Sequence, residues 1–226
     1  MSGLYDDLNM IDCDGIHCYV VKAPDGDILI DTGEARYRDS IEMWLINYNI
    51  KKILLTHGHS EATGNAKYFS ELFDAPIYMN EADYELISGK SDRNVFSVGL
   101  TGAALSFLEE RKRCKPVEIF DVHKFIDENS DISSELGAEC EIYSAEGHTK
   151  GSLAYKFGDD LYIGDAVMNI VYPCFPALCE SPKRARQFIT RLKEIAPERI
   201  LFTRGEPIKT HDNKLYLNLF SKNIIM

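Results

Sequence analysis

The sequence has little positive charge, no long apolar run and no closely paired cysteines. Its 36 acidic and 25 basic residues give a formal net charge of −11 and a pI near 5.0. This balance disfavours a nucleic-acid-binding surface. No apolar stretch is long enough to cross a bilayer. Residues 1–10 lack the basic and apolar segments of a signal peptide. We therefore expect a cytoplasmic enzyme or binding protein with no membrane or nucleic-acid partner.

The cysteines indicate reduced thiols rather than a disulfide framework. None of the six forms a Cys-x-x-Cys pair, and a cytoplasmic chain keeps its thiols reduced. Two of them flank residues 175–178, close in sequence to a candidate site residue. Packing is the expected role there, with a redox or substrate contact as the alternative. The six are Cys13, Cys18, Cys114, Cys140, Cys174 and Cys179.

Alternating strand and helix patterns predict an α/β layer architecture. In the first half, apolar and β-branched runs predict strands, and helices lie between them. Thr63 can cap the helix that carries Ala66, Phe69 and Phe73, and Ile41, Trp44, Leu45 and Tyr48 define an earlier one. The predicted strands here are 16–21, 28–30, 52–55 and 76–79.

The second half is richer in strands. A helix is predicted to begin at the N-cap Ser181 with Pro182 in its first turn, and Pro197 ends it. The C-terminal tail could pair as an edge strand. The predicted strands are 117–120, 123–126, 139–144, 153–157, 161–163 and 199–202. Residues 91–114 are expected to form an ordinary packed helix. In the alternative, they cover a pocket and offer Arg93, Arg111, Lys112 or Arg113 to an anionic substrate.

The loop from Thr56 to Gly64 is the strongest chemical signal. His57 and His59, two residues apart in an extended loop, can both face one ion, and Glu61 follows two residues later. Imidazole and carboxylate are ligands of zinc and non-haem iron. Alone, this pattern also fits a surface loop with two histidines. His17, His123 and His211 have no such spacing and are expected to be structural or exposed.

Four further motifs also follow predicted strands. They are Asp31-Thr32-Gly33, Glu146-Gly147-His148-Thr149-Lys150-Gly151-Ser152, Tyr162-Ile163-Gly164-Asp165 and Phe202-Thr203-Arg204-Gly205-Glu206-Pro207. Together with the histidine loop, and in this order, they resemble the metallo-β-lactamase superfamily over nearly the whole chain. The stretch around His148 resembles its glyoxalase II and persulfide dioxygenase branch.

The resemblance implies a single domain over residues 1–226, with a helical insert at about 91–114. The fold class is α/β (α+β), a four-layer αβ/βα sandwich of two mixed β-sheets flanked by helices. It also implies a metal site on His57, His59, His148 and Asp165, and a role for Asp31 in orienting that site through hydrogen bonds. These ligands suit one divalent ion, zinc or iron.

Three departures from the family pattern predict that the second metal site is degenerate. Glu61 replaces an aspartate, while Ala62 and Arg204 replace two histidines. Alanine has no lone pair, and arginine cannot be deprotonated to bind a metal. The guanidinium of Arg204 suits carboxylates, so we expect it to substitute for the second ion between Glu61 and Asp165. Alternatively, Arg204 points to solvent and water fills the gap, or it waits for an anionic substrate group.

Three functions are compatible with these motifs. The first is a mononuclear metal hydrolase of a small thioester, ester or lactone, in which Glu61 or Asp165 orients or deprotonates a metal-bound water. The second is a degenerate family member that binds a ligand or partner without turnover. The third is an iron-dependent, persulfide dioxygenase-like enzyme. The expected partner is a small-molecule substrate, and a homodimer is compatible with the sequence.

Overall fold

Two β-sheets packed face to face form the centre of the fold. The structure, a computed structural model, describes residues 8–87, 93, 96–97, 117–170, 172–176, 178–211, 216 and 219–220. The first sheet is antiparallel across its first three strands and parallel across the rest. In spatial order its strands are β1 (Met10–Cys13), β2 (Ile16–Val21), β3 (Asp27–Ile30), β4 (Ile50–Leu54), β5 (Ile77–Met79) and β7 (Lys124–Phe125).

The second sheet has one parallel pair and is otherwise antiparallel. Its spatial order is β13 (Ile208–Lys209), β12 (Arg199–Leu201), β10 (Asp160–Tyr162), β9 (Leu153–Phe157) and β8 (Glu141–Ser144). A separate two-stranded ribbon joins β6 (Phe96–Ser97) to β11 (Leu178–Cys179). The tail thus supplies an edge strand.

Helices cover the outer face of each sheet. Among the described residues, the α-helices are α1 (Arg38–Leu45), α2 (Ser60–Thr63), α3 (Ala66–Phe73), α4 (Glu81–Ile87), α5 (Ser133–Leu136) and α6 (Pro182–Ile195), and a 3-10 turn spans Ala35–Tyr37. Ile41 of α1 and Phe69 of α3 belong to the core behind the first sheet. Phe188 of α6 packs behind the second sheet.

A third apolar core lies between the sheets. Leu54 of the first sheet and Tyr155 and Leu201 of the second belong to it, and all are buried. Helix, sheet, sheet and helix therefore form four layers, which confirms the predicted αβ/βα sandwich.

Several local predictions are confirmed and others are wrong. The Ser181 hydroxyl accepts a hydrogen bond from the Arg184 amide at the start of α6, as predicted. Thr63 does not cap α3, because its hydroxyl donates to the His59 carbonyl and α3 begins after Asn65.

Two other predicted elements also differ from the structure. Residues 117–120 form no strand, because Lys124–Phe125 takes the position beside β5. Helix α1 ends at Leu45, before Tyr48. Within the predicted insert at 91–114, the structure describes Arg93 and a short strand at 96–97, and the remainder lies outside the described residues.

Among the described residues, no helix is both long and apolar enough to cross a membrane. The five described cysteines, which exclude Cys114, are free thiols.

Candidate metal centre

The candidate site lies where strands of both sheets end. Strands β3 and β4 run parallel, so the residues that follow them, Asp31 and the loop from Thr56, leave the same edge of the first sheet. Strands β10 and β12 are also parallel and lead to Asp165 and Arg204. The loop after β8 adds His148. Five loops that are distant in sequence are thereby brought together.

Three imidazoles face one another in this cluster. Their ring centroids are 5.2 Å apart for His57 and His59, 5.0 Å for His57 and His148, and 4.8 Å for His59 and His148. His59 Nδ1 lies 3.0 Å from His148 Nε2. One donor atom from each histidine and one from Glu61 lie within 4.8 Å of one another. Donors this close can share an ion to which each nitrogen binds at about 2.0–2.1 Å.

Asp31 orients His57 through Thr56. The Thr56 amide and hydroxyl donate to the Asp31 carboxylate at 2.8 Å, and the Thr203 hydroxyl donates to it at 2.7 Å. The Thr56 hydroxyl donates its only proton to Asp31. In its 3.0 Å contact with His57 Nδ1, the hydroxyl oxygen therefore accepts and the ring N–H donates. When the ring is neutral, as it must be to bind a metal, His57 Nε2 therefore carries the lone pair and faces the cluster.

Arg204 lies between the two carboxylates of the site. Its Nη2 donates to Glu61 Oε1 and its Nε donates to Asp165 Oδ2, each at 2.9 Å. The carboxyl side chains are 8% and 0% exposed and that of Arg204 is 21% exposed. The structure thus shows the contacts expected of a substitute for a second ion, and it does not show an Arg204 that points to solvent.

Burial and charge act differently on the ionisable groups. Burial alone would raise the pKa of Glu61, but Arg204 and the neighbouring imidazoles hold that pKa well below its usual range. Burial raises the pKa of Asp165 to about 7, although Arg204 opposes this shift. Burial would lower the pKa of His57, but its contact with Glu61 and the charge of Asp165 raise it to about 9. Glu61 is therefore the carboxylate that stays ionised.

The chemistry of these residues fits a bound cation. His57 Nε2 and Asp165 Oδ1 are buried and have no hydrogen-bond partner among the described residues. Buried polar atoms without partners are rare in native proteins. His57 Nε2 also lies 3.6 Å from Glu61 Oε1, and Asp165 Oδ2 lies 3.9 Å from His148 Nε2. Two ligands on one ion at about 2.0–2.2 Å have a similar separation, roughly 3.4 Å.

Sequence reasoning missed Asp83, which joins the two histidine loops. Its buried carboxylate accepts from the Gly58 amide at 2.9 Å, the Gly151 amide at 2.8 Å and the Thr149 hydroxyl at 2.6 Å. A Cβ at Gly58 or Gly151 would lie within 2.7 Å of Asp83, so glycine is needed for this approach. Only the tertiary fold brings α4 here, and no local pattern around Asp83 signals its role.

Arg93 is bound within the protein. Its guanidinium donates to Asp83 Oδ1 at 3.0 Å and to Glu180 Oε2 at 3.1 Å. These contacts compensate the buried charge of Asp83. They bind Arg93 to carboxylates of the protein, whereas the alternative had Arg93 facing an anionic substrate. The other three basic candidates, Arg111, Lys112 and Arg113, lie outside the described residues. His123 and His211 are exposed and His17 is buried.

Several solved structures, metallo-β-lactamases among them, have a similar fold. A crystal structure of TTHA1623 in a di-iron-bound form aligns with a TM-score of 0.64 at 20% identity, covering 88% of this chain and 92% of that one. BJP-1, a subclass B3 metallo-β-lactamase of Bradyrhizobium japonicum, aligns with a TM-score of 0.65 at 21% identity, covering 88% and 75%. These identities support the fold alone.

A closer but shorter sequence match is to Probable metallo-hydrolase YybB of Bacillus subtilis (strain 168). It is 38% identical over 76 residues, which are 33% of this chain and 34% of the relative. The match therefore spans about a third of that relative's length. Residues 11–214 match the sequence profile of the Metallo-beta-lactamase superfamily, and the five motif loops converge at one site within that range. The chain therefore belongs to the metallo-β-lactamase superfamily.

Proposed function

We propose that this protein is a hydrolase that uses one divalent ion, zinc or iron, to cleave a small thioester, ester or lactone. The position of Arg204 is the observation that carries this proposal. A fixed guanidinium bonded to both Glu61 and Asp165 supplies the positive charge that a second ion would provide. This arrangement supports a mononuclear centre.

The proposed ligands are His57 through Nε2, His59 through Nδ1 and His148 through Nε2. Asp165 completes the set, because its Oδ1 is buried and has no hydrogen-bond partner among the described residues. Three imidazoles and a carboxylate can leave a position open for water. When bound, the ion would lower the pKa of that water from about 15.7 toward neutrality and polarise a substrate carbonyl.

The chain's own residues then position the reactants. Glu61, which Arg204 keeps ionised, offers a carboxylate beside His57 and His59 that can accept a hydrogen bond from the attacking water. Asp31 holds the His57 tautomer through Thr56, so the ring presents Nε2 to the centre. Asp83 holds the His57–His59 loop against the His148 loop, so the ligands keep their spacing.

Metal content and activity test the proposal together. Protein purified without added metal is analysed for zinc and iron after dialysis, and it is assayed with a thioester, an aryl ester and a lactone. We expect about one equivalent of metal and hydrolysis of at least one class. His148→Ala should lose most of both, whereas the control His211→Ala, an exposed histidine outside the cluster, should lose neither.

Other outcomes would contradict the proposed metal centre or the proposed hydrolase activity. Two tightly held equivalents, or unchanged metal in His148→Ala, would overturn the proposed centre. Oxygen uptake by an iron-loaded protein that hydrolyses nothing would favour the dioxygenase-like alternative. Metal binding with neither activity would favour a family member that binds a ligand without turnover.

A further inference from the structure

A second group of candidate metal ligands lies apart from the histidine cluster. It consists of Asp12 on β1, His17 on β2 and Glu206 in the loop after β12, with one donor atom from each within 4.8 Å of the others. Asp12 and His17 are directly opposite in the antiparallel register, so their side chains share one face. No residue of this group belongs to the proposed catalytic centre.

The environment of the His17 imidazole is the main evidence for a bound ion. His17 is 0% exposed, and neither ring nitrogen has a hydrogen-bond partner among the described residues. Buried polar atoms in native proteins nearly always have a partner. His17 Nε2 lies 3.5 Å from Asp12 Oδ1, which is long for a hydrogen bond. It is close to the roughly 3.4 Å that separates two ligands bound to one ion.

Charge and access also suit a cation. Asp12 and Glu206 are exposed, so an ion can enter from solvent, and their two carboxylates would balance a dication bound by a neutral imidazole. The Gly15 amide donates to Asp12 Oδ1 at 2.6 Å, which fixes that carboxylate on the hairpin turn. We propose that Asp12, His17 and Glu206 form a second, peripheral site for a divalent transition-metal ion such as Zn²⁺ or Mn²⁺.

This site would brace the segment that carries Arg204. The His17 amide donates to the Thr203 carbonyl at 2.8 Å, and the Gly205 amide donates to the Gly15 carbonyl at 3.3 Å. An ion shared by the hairpin and Glu206 would add a side-chain connection to these backbone bonds. Because Arg204 lies two residues before Glu206, the peripheral ion would stabilise the loop that presents Arg204 to the main centre.

Equilibrium dialysis against Zn²⁺ tests the site, with bound zinc counted at saturating free ion. We expect two equivalents on the wild-type chain, the peripheral one lost on later dialysis into metal-free buffer because its carboxylates are exposed. Asp12→Asn with Glu206→Gln should bind one equivalent fewer. The matched control is Glu71→Gln with Asp74→Asn, an exposed pair with the same change of charge, and it should bind as much zinc as the wild type.

A hydrogen-exchange measurement localises the effect. Zinc should slow exchange of the Gly205 amide in the wild type and not in the Asp12/Glu206 variant. If that variant binds as much zinc as the wild type, the peripheral site is refuted, whatever the state of the main centre. If instead His148→Ala keeps the wild-type zinc count while the Asp12/Glu206 variant loses one equivalent, the peripheral site stands and the proposed catalytic centre falls.

Discussion

Replacing Arg204 by alanine would remove a guanidinium that donates hydrogen bonds to both Glu61 and Asp165. Losing one partner of a fully buried ion pair costs about 3–5 kcal/mol. Because the Arg204 side chain is 21% exposed, water can enter, and we expect the lower end, about 3 kcal/mol. For a chain of 226 residues this lowers the melting temperature by roughly 6–12 °C.

The assay is denaturant unfolding of chelator-treated protein at about pH 8. At that pH, Asp165, whose pKa is about 7, is ionised in the wild type, so Arg204 pairs two charged carboxylates before it is removed. Arg199→Ala is the matched control. Arg199 makes a similar two-point contact with Asp160 at comparable exposure, but Asp160 is not one of the residues of the candidate metal centre. We expect Arg199→Ala to cost clearly less.

The reasoning is refuted if Arg204→Ala changes the free energy of unfolding by less than about 0.5 kcal/mol, the usual scale of a surface substitution. It is equally refuted if the loss merely matches that of Arg199→Ala. Either result would mean that Arg204 does not compensate the two buried carboxylates.

Three further predictions concern the same centre. Asp83→Ala should weaken metal affinity about 10–100-fold in a chelator competition, because both histidine loops lose their common acceptor, and an unchanged affinity would contradict that role. The double change Ala62→His with Arg204→His should allow a second equivalent of metal by elemental analysis, and a count that stays at one would show that the imidazoles alone do not restore the site. The apoprotein should lose up to about 3 kcal/mol of stability as the pH rises from 6.5 through 9. In the folded state the pKa of His57 is raised to about 9, so the folded state binds this proton more tightly than the unfolded chain does. Denaturant titrations that show stability rising over this pH range would contradict the shift.

Much of the fold follows from the sequence because its signals are local. Ser181, Pro182 and the apolar stripe that follows define α6 at its start and along its length. The strands leading to His57 and Asp165 are recognisable as short apolar runs. Since residues that follow parallel strands emerge at one edge of a sheet, the meeting of these loops could also be expected.

The failures concern contacts that only tertiary structure decides. Thr63 has the chemistry of a cap, yet its hydroxyl binds the His59 carbonyl. Residues 117–120 look like a strand but have no position in the first sheet beside β5. Asp83 is one acidic residue among several on α4, and its contacts become visible only when two loops from opposite halves of the chain close around it.

The bond from Thr203 to Asp31 has a consequence for synthesis of the protein. It joins a residue near the end of the chain to one near its beginning, and Thr56 and His57 depend on the same carboxylate. A nascent chain therefore presents His57 and His59 long before it can supply Thr203 and Arg204. Contacts this distant in sequence form late and slow folding. An ion that meets the emerging chain early would find only a partial set of the proposed ligands, so we expect correct metal loading to depend on completing the second sheet.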